Sequence, residues 1–347
     1  MIQTQLKLRM CKTQEKTAES WLPILGSVFN FAARKVELNA KDKIYFSKND
    51  FQNLLANHGE RLGIPSHTLQ GVLCTVHDAW KRCFKKTAGK PRLKGMRNKL
   101  TSIPFPDPIK APKGNRITLP SLGSVRFYKM DIPDGKIKCG RMVKRASGWY
   151  LCLFIDAEPR KIERTGYGEI GIDSGFSNLL TTSDGEIIEH PRELEASAKR
   201  LAQAQRGHDK QLARIQERVA NRKKDRNHKI TTRLVSENVI IVWSKDNHKG
   251  IAKKFGKSVA SSAHAQIRQQ LSYKMPISGG TFIEVASKDS TKTCNECGKP
   301  TGPTGLAGLS VRSWVCRDCG FSHDRDVNAA INTLKLGAGC AHEVAYV

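Results

Sequence analysis

Two short cysteine pairs restrict this chain more than any other feature. Cys294-x-x-Cys297 and Cys316-x-x-Cys319 are each closed by a glycine, Gly298 and Gly320, and are separated by 18 residues. A knuckle of this kind aims two thiolates at one point, and tetrahedral zinc takes four such donors. The spacer holds Pro303, Gly305 and Gly308 and then the apolar run 310–315, the make-up of a small ribbon. The expectation is a structural Zn²⁺ on Cys294, Cys297, Cys316 and Cys319, with no position left open for chemistry. The other six cysteines (Cys11, Cys74, Cys83, Cys139, Cys152 and Cys340) lack ligand spacing and read as small hydrophobes or inert thiols.

A ribbon of that size leaves most of the 347 residues to other domains, and about two are expected at this length. Ile2, Thr4, Leu6 and Leu8 alternate as a strand does. From 19 to 84 the period turns helical, with Ser47 and Ser66 as helix starts. Short strands follow at 116–119, 124–127 and 149–154, which with 2–9 would close a small β-barrel around the helical insertion. A second domain opens near Gly166. It offers a strand ending at Asp173, a hairpin through Ser183-Asp184-Gly185, a long basic helix over 192–236 and a strand at 239–243. A helix at 256–274, a strand at 281–286, the cysteine module and a helix over 325–336 complete it, an α/β pattern.

The formal charge is +27, an excess that calls for a polyanion. No apolar run approaches the roughly 20 residues that span a bilayer, and the first ten residues do not resemble a signal peptide, so a cytoplasmic protein without a membrane partner is expected. Nucleic acid is the fitting polyanion. Its expected contacts are Lys85, Lys86, Arg92 and Lys94 in a Gly/Pro-broken loop, and Arg206, Arg214, Arg218, Arg222, Lys223 and Lys224 on the long helix. Lys249, Lys253 and Lys254 extend the footprint.

Three acidic residues stand where chemistry could be placed. Asp173 ends an apolar strand before Ser174-Gly175, Glu284 interrupts the apolar strand 281–286, and Asp326 opens the final helix. Each also has a plain reading: a turn residue, a solvent-facing strand position, a helix N-terminus. Together, three carboxylates on one sheet would hold two Mg²⁺ about 4 Å apart, the arrangement that cleaves phosphodiesters.

These residues, with Asn30, Thr68-Leu69-Gln70, 89–94, Leu119-Pro120-x-Leu122-Gly123, Gly148-Trp149-Tyr150, Gly171-Ile172-Asp173-Ser174-Gly175, Thr291-Lys292-Thr293 before the first knuckle and Asp324-Arg325-Asp326-Val327-Asn328-Ala329-Ala330, resemble the TnpB family. That family comprises transposon-encoded RNA-guided nucleases akin to type V CRISPR effectors. The resemblance implies a multidomain α/β and β protein. A wedge-like β-barrel (1–15 and 104–163) would carry a helical recognition lobe (16–103). An RNase H-like RuvC domain (164–287 and 323–347) would carry the zinc ribbon (288–322). Guide RNA and double-stranded DNA with a short adjacent motif are the implied partners, and Asp173 and Asp326 the first and third catalytic carboxylates.

The family's second carboxylate, a Glu closing the strand after the long basic helix, is missing from 239–246. Glu284 is the expected replacement and Asp246 the second choice. The alternatives are a nuclease-inactive, RNA-guided repressor derived from TnpB, or a guide-free zinc-containing DNA-binding or transposition accessory protein.

Overall fold

The computed structural model describes residues 1–55, 58–190, 192–245, 256, 261–286, 289–304 and 307–344. The chain forms two compact units, Met1–Pro159 and Arg160–Val347. Among the described residues no helix is long and apolar enough to cross a membrane.

The first unit runs β1 (Ile2–Arg9), α1 (Lys12–Lys41), α2 (Lys48–Asn53), α3 (Gly59–Leu62), α4 (Ser66–Phe84), β2 (Ser102–Phe105), β3 (Arg116–Leu119), β4 (Gly123–Phe127), β5 (Lys136–Arg145) and β6 (Gly148–Asp156). Ser47 caps α2 as its sequence suggests, accepting from the Asp50 N–H while the Asp50 carboxylate accepts from the Ser47 N–H. The start of α4 differs from expectation: Pro65 is the N-cap and Ser66 the first helical residue. The strands are ordered β2-β5-β6-β1-β4-β3. Residues 2–7 of β1 pair with β6 while Leu8 and Arg9 pair with β4, so one strand passes from one layer to the other. No pairing joins β2 to β3 among the described residues, so the expected barrel is left open along that seam. Alternation puts Leu6, Leu8, Val125, Phe127, Leu151 and Leu153 inward, where they share one core with Trp21, Leu25, Phe29, Leu69 and Leu73 of the helices. Asn30 ties the basic loop to α1: its Nδ2 donates to the Lys94 carbonyl at 2.8 Å and its Oδ1 accepts from the Lys94 N–H at 2.6 Å.

The second unit runs β7 (Gly168–Ser174), β8 (Asn178–Thr182), β9 (Ile187–Glu189), α5 (Glu193–Ala196), α6 (Ala198–Ala204), α7 (Asp209–Glu237), β10 (Asn238–Lys245), α8 (His264–Ile277), β11 (Thr281–Ala286), β12 (Ser313–Val315), β13 (Ser322–Asp324) and α9 (Arg325–Val344). Its five-stranded sheet is ordered β11-β10-β7-β8-β9. The β7–β8–β9 meander is antiparallel, and β10 and β11 run parallel to β7. The single basic helix expected over 192–236 is three helices, broken at Ser197 and again at Gly207, whose φ of 117° no helix accommodates. The final helix continues past Leu336 to Val344.

The two faces of this sheet differ. Ile170, Ile172, Ile241 and Trp243 point to one side, against Leu234 and Val235 of α7 and Ile267, Leu271 and Met275 of α8. The opposite face meets α9 so closely that a Cβ on Gly171 would lie 2.2 Å from the Ala330 carbonyl oxygen, and one on Gly337 2.4 Å from the Val242 side chain. Glycine is required at both, because a Cβ would strike helix backbone at Gly171 and the stiff Val242 side chain at Gly337.

Candidate metal centre and carboxylate edge

The four cysteines of the knuckles come together. Their sulfurs all lie within 4.8 Å of one another, with Cys294–Cys319 at 3.7 Å and Cys297–Cys316 at 3.6 Å. Zinc–thiolate bonds of about 2.3 Å set a tetrahedral edge of about 3.8 Å, so the donor set and spacing fit that ion. Cys316 is drawn down to about 6, first by the Thr301 hydroxyl 3.1 Å from its sulfur, which favours the thiolate a metal needs. His323 Nε2 lies 3.1 Å from the Cys294 sulfur, and its ring packs on Trp314 at 4.5 Å between centroids. Among the described residues this is the one group of three or more His, Cys, Asp and Glu side chains able to hold a metal.

The ribbon leads directly into the carboxylate edge. β12 and β13 pair as a hairpin with Trp314 opposite His323, and β13 ends on Asp324. Asp324 Oδ1 then accepts from the N–H groups of Asp326 and Val327, both at 2.9 Å, and so caps α9. Two acidic residues that look interchangeable in sequence are thereby divided: Asp324 begins the helix, and Asp326 presents its carboxylate to Arg312 at 3.2 Å. Arg312 also donates to the Ser177 hydroxyl at 2.7 Å, which brings Asp326 to the end of β7 that carries Asp173. Burial pushes the Asp326 carboxyl up; Arg312 opposes that and Asp324 adds to it.

Asn328, two residues beyond Asp326, is buried and bolts the helix to the first knuckle. Its Oδ1 accepts from the Asn295 N–H at 2.9 Å, and its Nδ2 donates to the Thr293 carbonyl at 2.9 Å. Asn332, one turn on, donates to the Thr293 and Ser290 carbonyls at 2.7 and 2.9 Å. The Lys335 ammonium donates to the Asn295 carbonyl. Sequence reasoning noted Asn328 only as part of a motif and gave Arg312 no role, because the segments that carry Arg312, Thr293 and Asn295 are loops that no periodicity locates.

Strand register settles where each expected carboxylate lies. Gly171 and Asp173 share the face against α9, as do Val242 and Ser244. Ser244 follows Trp243, the register partner of Ile172, and therefore stands beside Asp173. Its hydroxyl is fully buried and has no hydrogen-bond partner among the described residues. Glu284 is the register partner of Trp243 and points to the other face. There it is held by Arg268 of α8 at 3.2 Å and by Lys245 at 3.8 Å. Arg312 links Asp326 to Ser177, four residues beyond Asp173, and Asp173 lies on the face that Gly171 turns to α9, whereas Glu284 lies on the other face. Asp246 lies outside the described residues, as do Lys249, Lys253 and Lys254.

Of the other expected nucleic-acid contacts, Lys85, Lys86, Arg92, Arg206, Arg214, Arg218, Arg222 and Lys224 are exposed. Lys94 is half-buried, its ammonium 4.7 Å from the centre of the Phe29 ring. Lys223 is half-buried too, and burial draws its ammonium down, with Glu193 opposing.

Two family models match the chain: the Cas12f1-like TNB domain over residues 264–333, and OrfB_IS605, described as "Probable transposase", over 156–245. A Streptomyces pristinaespiralis protein named "Putative RNA-guided DNA endonuclease" is 29% identical, across 79% of this chain and 72% of its own. A similarly named Escherichia coli (strain K12) protein is 26% identical, across 79% of this chain and 75% of its own. A Cas12f1 chain solved with sgRNA and target DNA aligns over 96% of this chain and 99% of its own at 15% identity, with a TM-score of 0.41. Along the chain the OrfB_IS605 match comes first and the Cas12f1-like TNB match second. The two family models and these relatives together support membership of the TnpB family.

Proposed function

We propose that this chain is an RNA-guided, DNA-targeting protein of the TnpB type whose phosphodiester cleavage takes place where Asp173 and Asp326 meet. The observation that carries this reading is the bridge that Arg312 makes from Asp326 to Ser177, four residues beyond Asp173, in a chain whose relatives are of this type. The mixed sheet with β7 central supports an RNase H-like RuvC domain over 164–287 and 323–347, with the ribbon 288–322 inserted before its last helix. In the other unit, 1–15 and 104–163 would form the wedge and 16–103 the recognition lobe. A groove of about 1150 Å³ between the start of α4 and β3–β4, with His67, Lys110 and Lys113 along it, suits the reading of a short duplex motif. Sequence choice itself would rest on guide pairing.

Two carboxylates at a strand end are hard oxygen donors suited to Mg²⁺. A bound divalent ion supplies charge neutralisation and an activated water for in-line cleavage. Asp173 and Asp326 would hold it, and Arg312 would leave Asp326 for the incoming phosphate as the site fills. Glu284, the carboxylate expected to complete the set, would have to abandon Arg268 and cross the sheet edge.

That placement, with Ser244 beside Asp173, favours a second reading: guided binding to DNA without cutting. One assay separates the two. Protein purified with its co-expressed flanking RNA is given Mg²⁺ and a plasmid carrying the matching target. Cleavage that Asp173→Ala abolishes supports the nuclease. Target binding without cleavage selects the second reading.

A further inference from the structure

The outer face of the first unit's sheet carries a row of arginines that no run of sequence reveals. Arg9 on β1 is the register partner of Arg126 on β4, and Arg126 is the partner of Arg116 on β3. Leu8, Val125, Phe127 and Ile117 point inward, so all three arginines point outward, and all are exposed. Directly opposed residues sit about 5 Å apart, and like charges in that position repel. Arg116 donates to the Ser124 hydroxyl at 3.4 Å. Among the described residues none of the three has a carboxylate partner. One step along the strands Tyr128 stands half-exposed, with the Lys7 ammonium 5.5 Å and the Arg9 guanidinium 5.3 Å from its ring centre.

A face that concentrates unneutralised charge against its own stability needs an anion to complete it. Closely spaced guanidinium groups beside an exposed aromatic ring are the arrangement that holds unpaired nucleotides, with phosphates on the cations and a base against the ring. We propose that this face binds a single-stranded segment of nucleic acid, with phosphates on Arg9, Arg126 and Arg116 and a base on Tyr128. A duplex fits less well, because its stacked bases cannot reach the ring. The inference rests on nucleic acid being the partner, and not on cleavage.

The test uses full-length protein freed of co-purified nucleic acid, without Mg²⁺, and fluorescence anisotropy on labelled strands of about 20 nucleotides. Single-stranded RNA, single-stranded DNA and a DNA duplex are compared across a salt series. With Arg9→Gln and Arg126→Gln combined, the slope of log affinity against log salt should fall by about 1.4 on both single strands, about 0.7 per phosphate contact. Tyr128→Ala should weaken single-strand binding about tenfold. Arg126→Lys should keep the slope. The melting temperature of the double variant should hold or rise, since repulsion is relieved; a merely structural role would lower it. Unchanged slope and affinity, or a loss confined to the duplex, would overturn the proposal. Plasmid cleavage plays no part in the readout, so failure of the nuclease reading leaves this result standing.

Discussion

The two faces of the second unit's sheet are built for different work, although they share the same strands. The face toward α9 makes room for the helix with glycine: Gly171 lets the β7 backbone meet α9, Gly337 seats the Val242 side chain, and Arg312 ties Asp326 to the turn that follows Asp173. The face toward α7 and α8 is a packed apolar layer around Trp243. A polar seam joins its two helices, with Asn227 donating to Gln266, Thr231 to Gln270, and the Lys274 ammonium to the Thr231 and Thr232 hydroxyls. Side chains alternate along a strand, so one residue decides which environment a carboxylate enters. Glu284 illustrates the rule: at its register it belongs to the packed face.

The largest effect should come from the α9 face. Asp173→Ala is expected to bring cleavage to background while target binding persists. Binding lost in parallel would mean that Asp173 holds the fold instead.

Cys316→Ser should release the metal and abolish cleavage together. Structural zinc in such modules contributes about 10 kcal/mol or more to folding, and β13 runs straight into the cap of α9. Zinc content by mass spectrometry alongside the plasmid assay checks this, and full cutting in a zinc-free variant would make the ribbon an accessory.

Asn328→Ala should cost about 1–3 kcal/mol in denaturant unfolding, because it strands the buried Asn295 N–H. It should also slow cleavage with zinc retained. Normal cutting would show that the clamp does not position Asp326.

The packed face should respond through stability. Burial lowers the Lys274 ammonium to about 8 from an ordinary 10.5. Between those values the unfolded chain binds more protons, so stability rises with pH. Unfolding free energies of the native protein should therefore gain on those of Lys274→Met from pH 8 to pH 10. Parallel curves would show that the lysine is not desolvated.

The smallest effect tests the comparison most sharply. Glu284→Gln should leave any cutting rate unchanged and cost at most about 1 kcal/mol, as for a partly exposed ion pair. Abolished cleavage would place the β11 carboxylate in the site after all.

Much of this arrangement was readable from local chemistry. The four-cysteine cluster, the strand that carries Asp173, the cap at Ser47 and the helix that starts beside Asp326 all depend on residues a few positions apart, where spacing dictates geometry. The break at Gly207 was present as a glycine but masked by the strong basic periodicity on either side of it. Other features had no local signature. The pairing of Arg312 with Asp326 and the clamp at Asn328 join segments that meet only when the ribbon docks on α9. The row Arg9–Arg126–Arg116 joins strands far apart in the chain.

By itself, then, the sequence determined the metal site, the two sheet-bearing regions, the basic character and the candidate carboxylates. Tertiary structure alone decided which face each carboxylate enters and which cations align. The physical reason is that strand register is set by packing across the whole sheet, and moving one position along a strand sends a side chain to the opposite face.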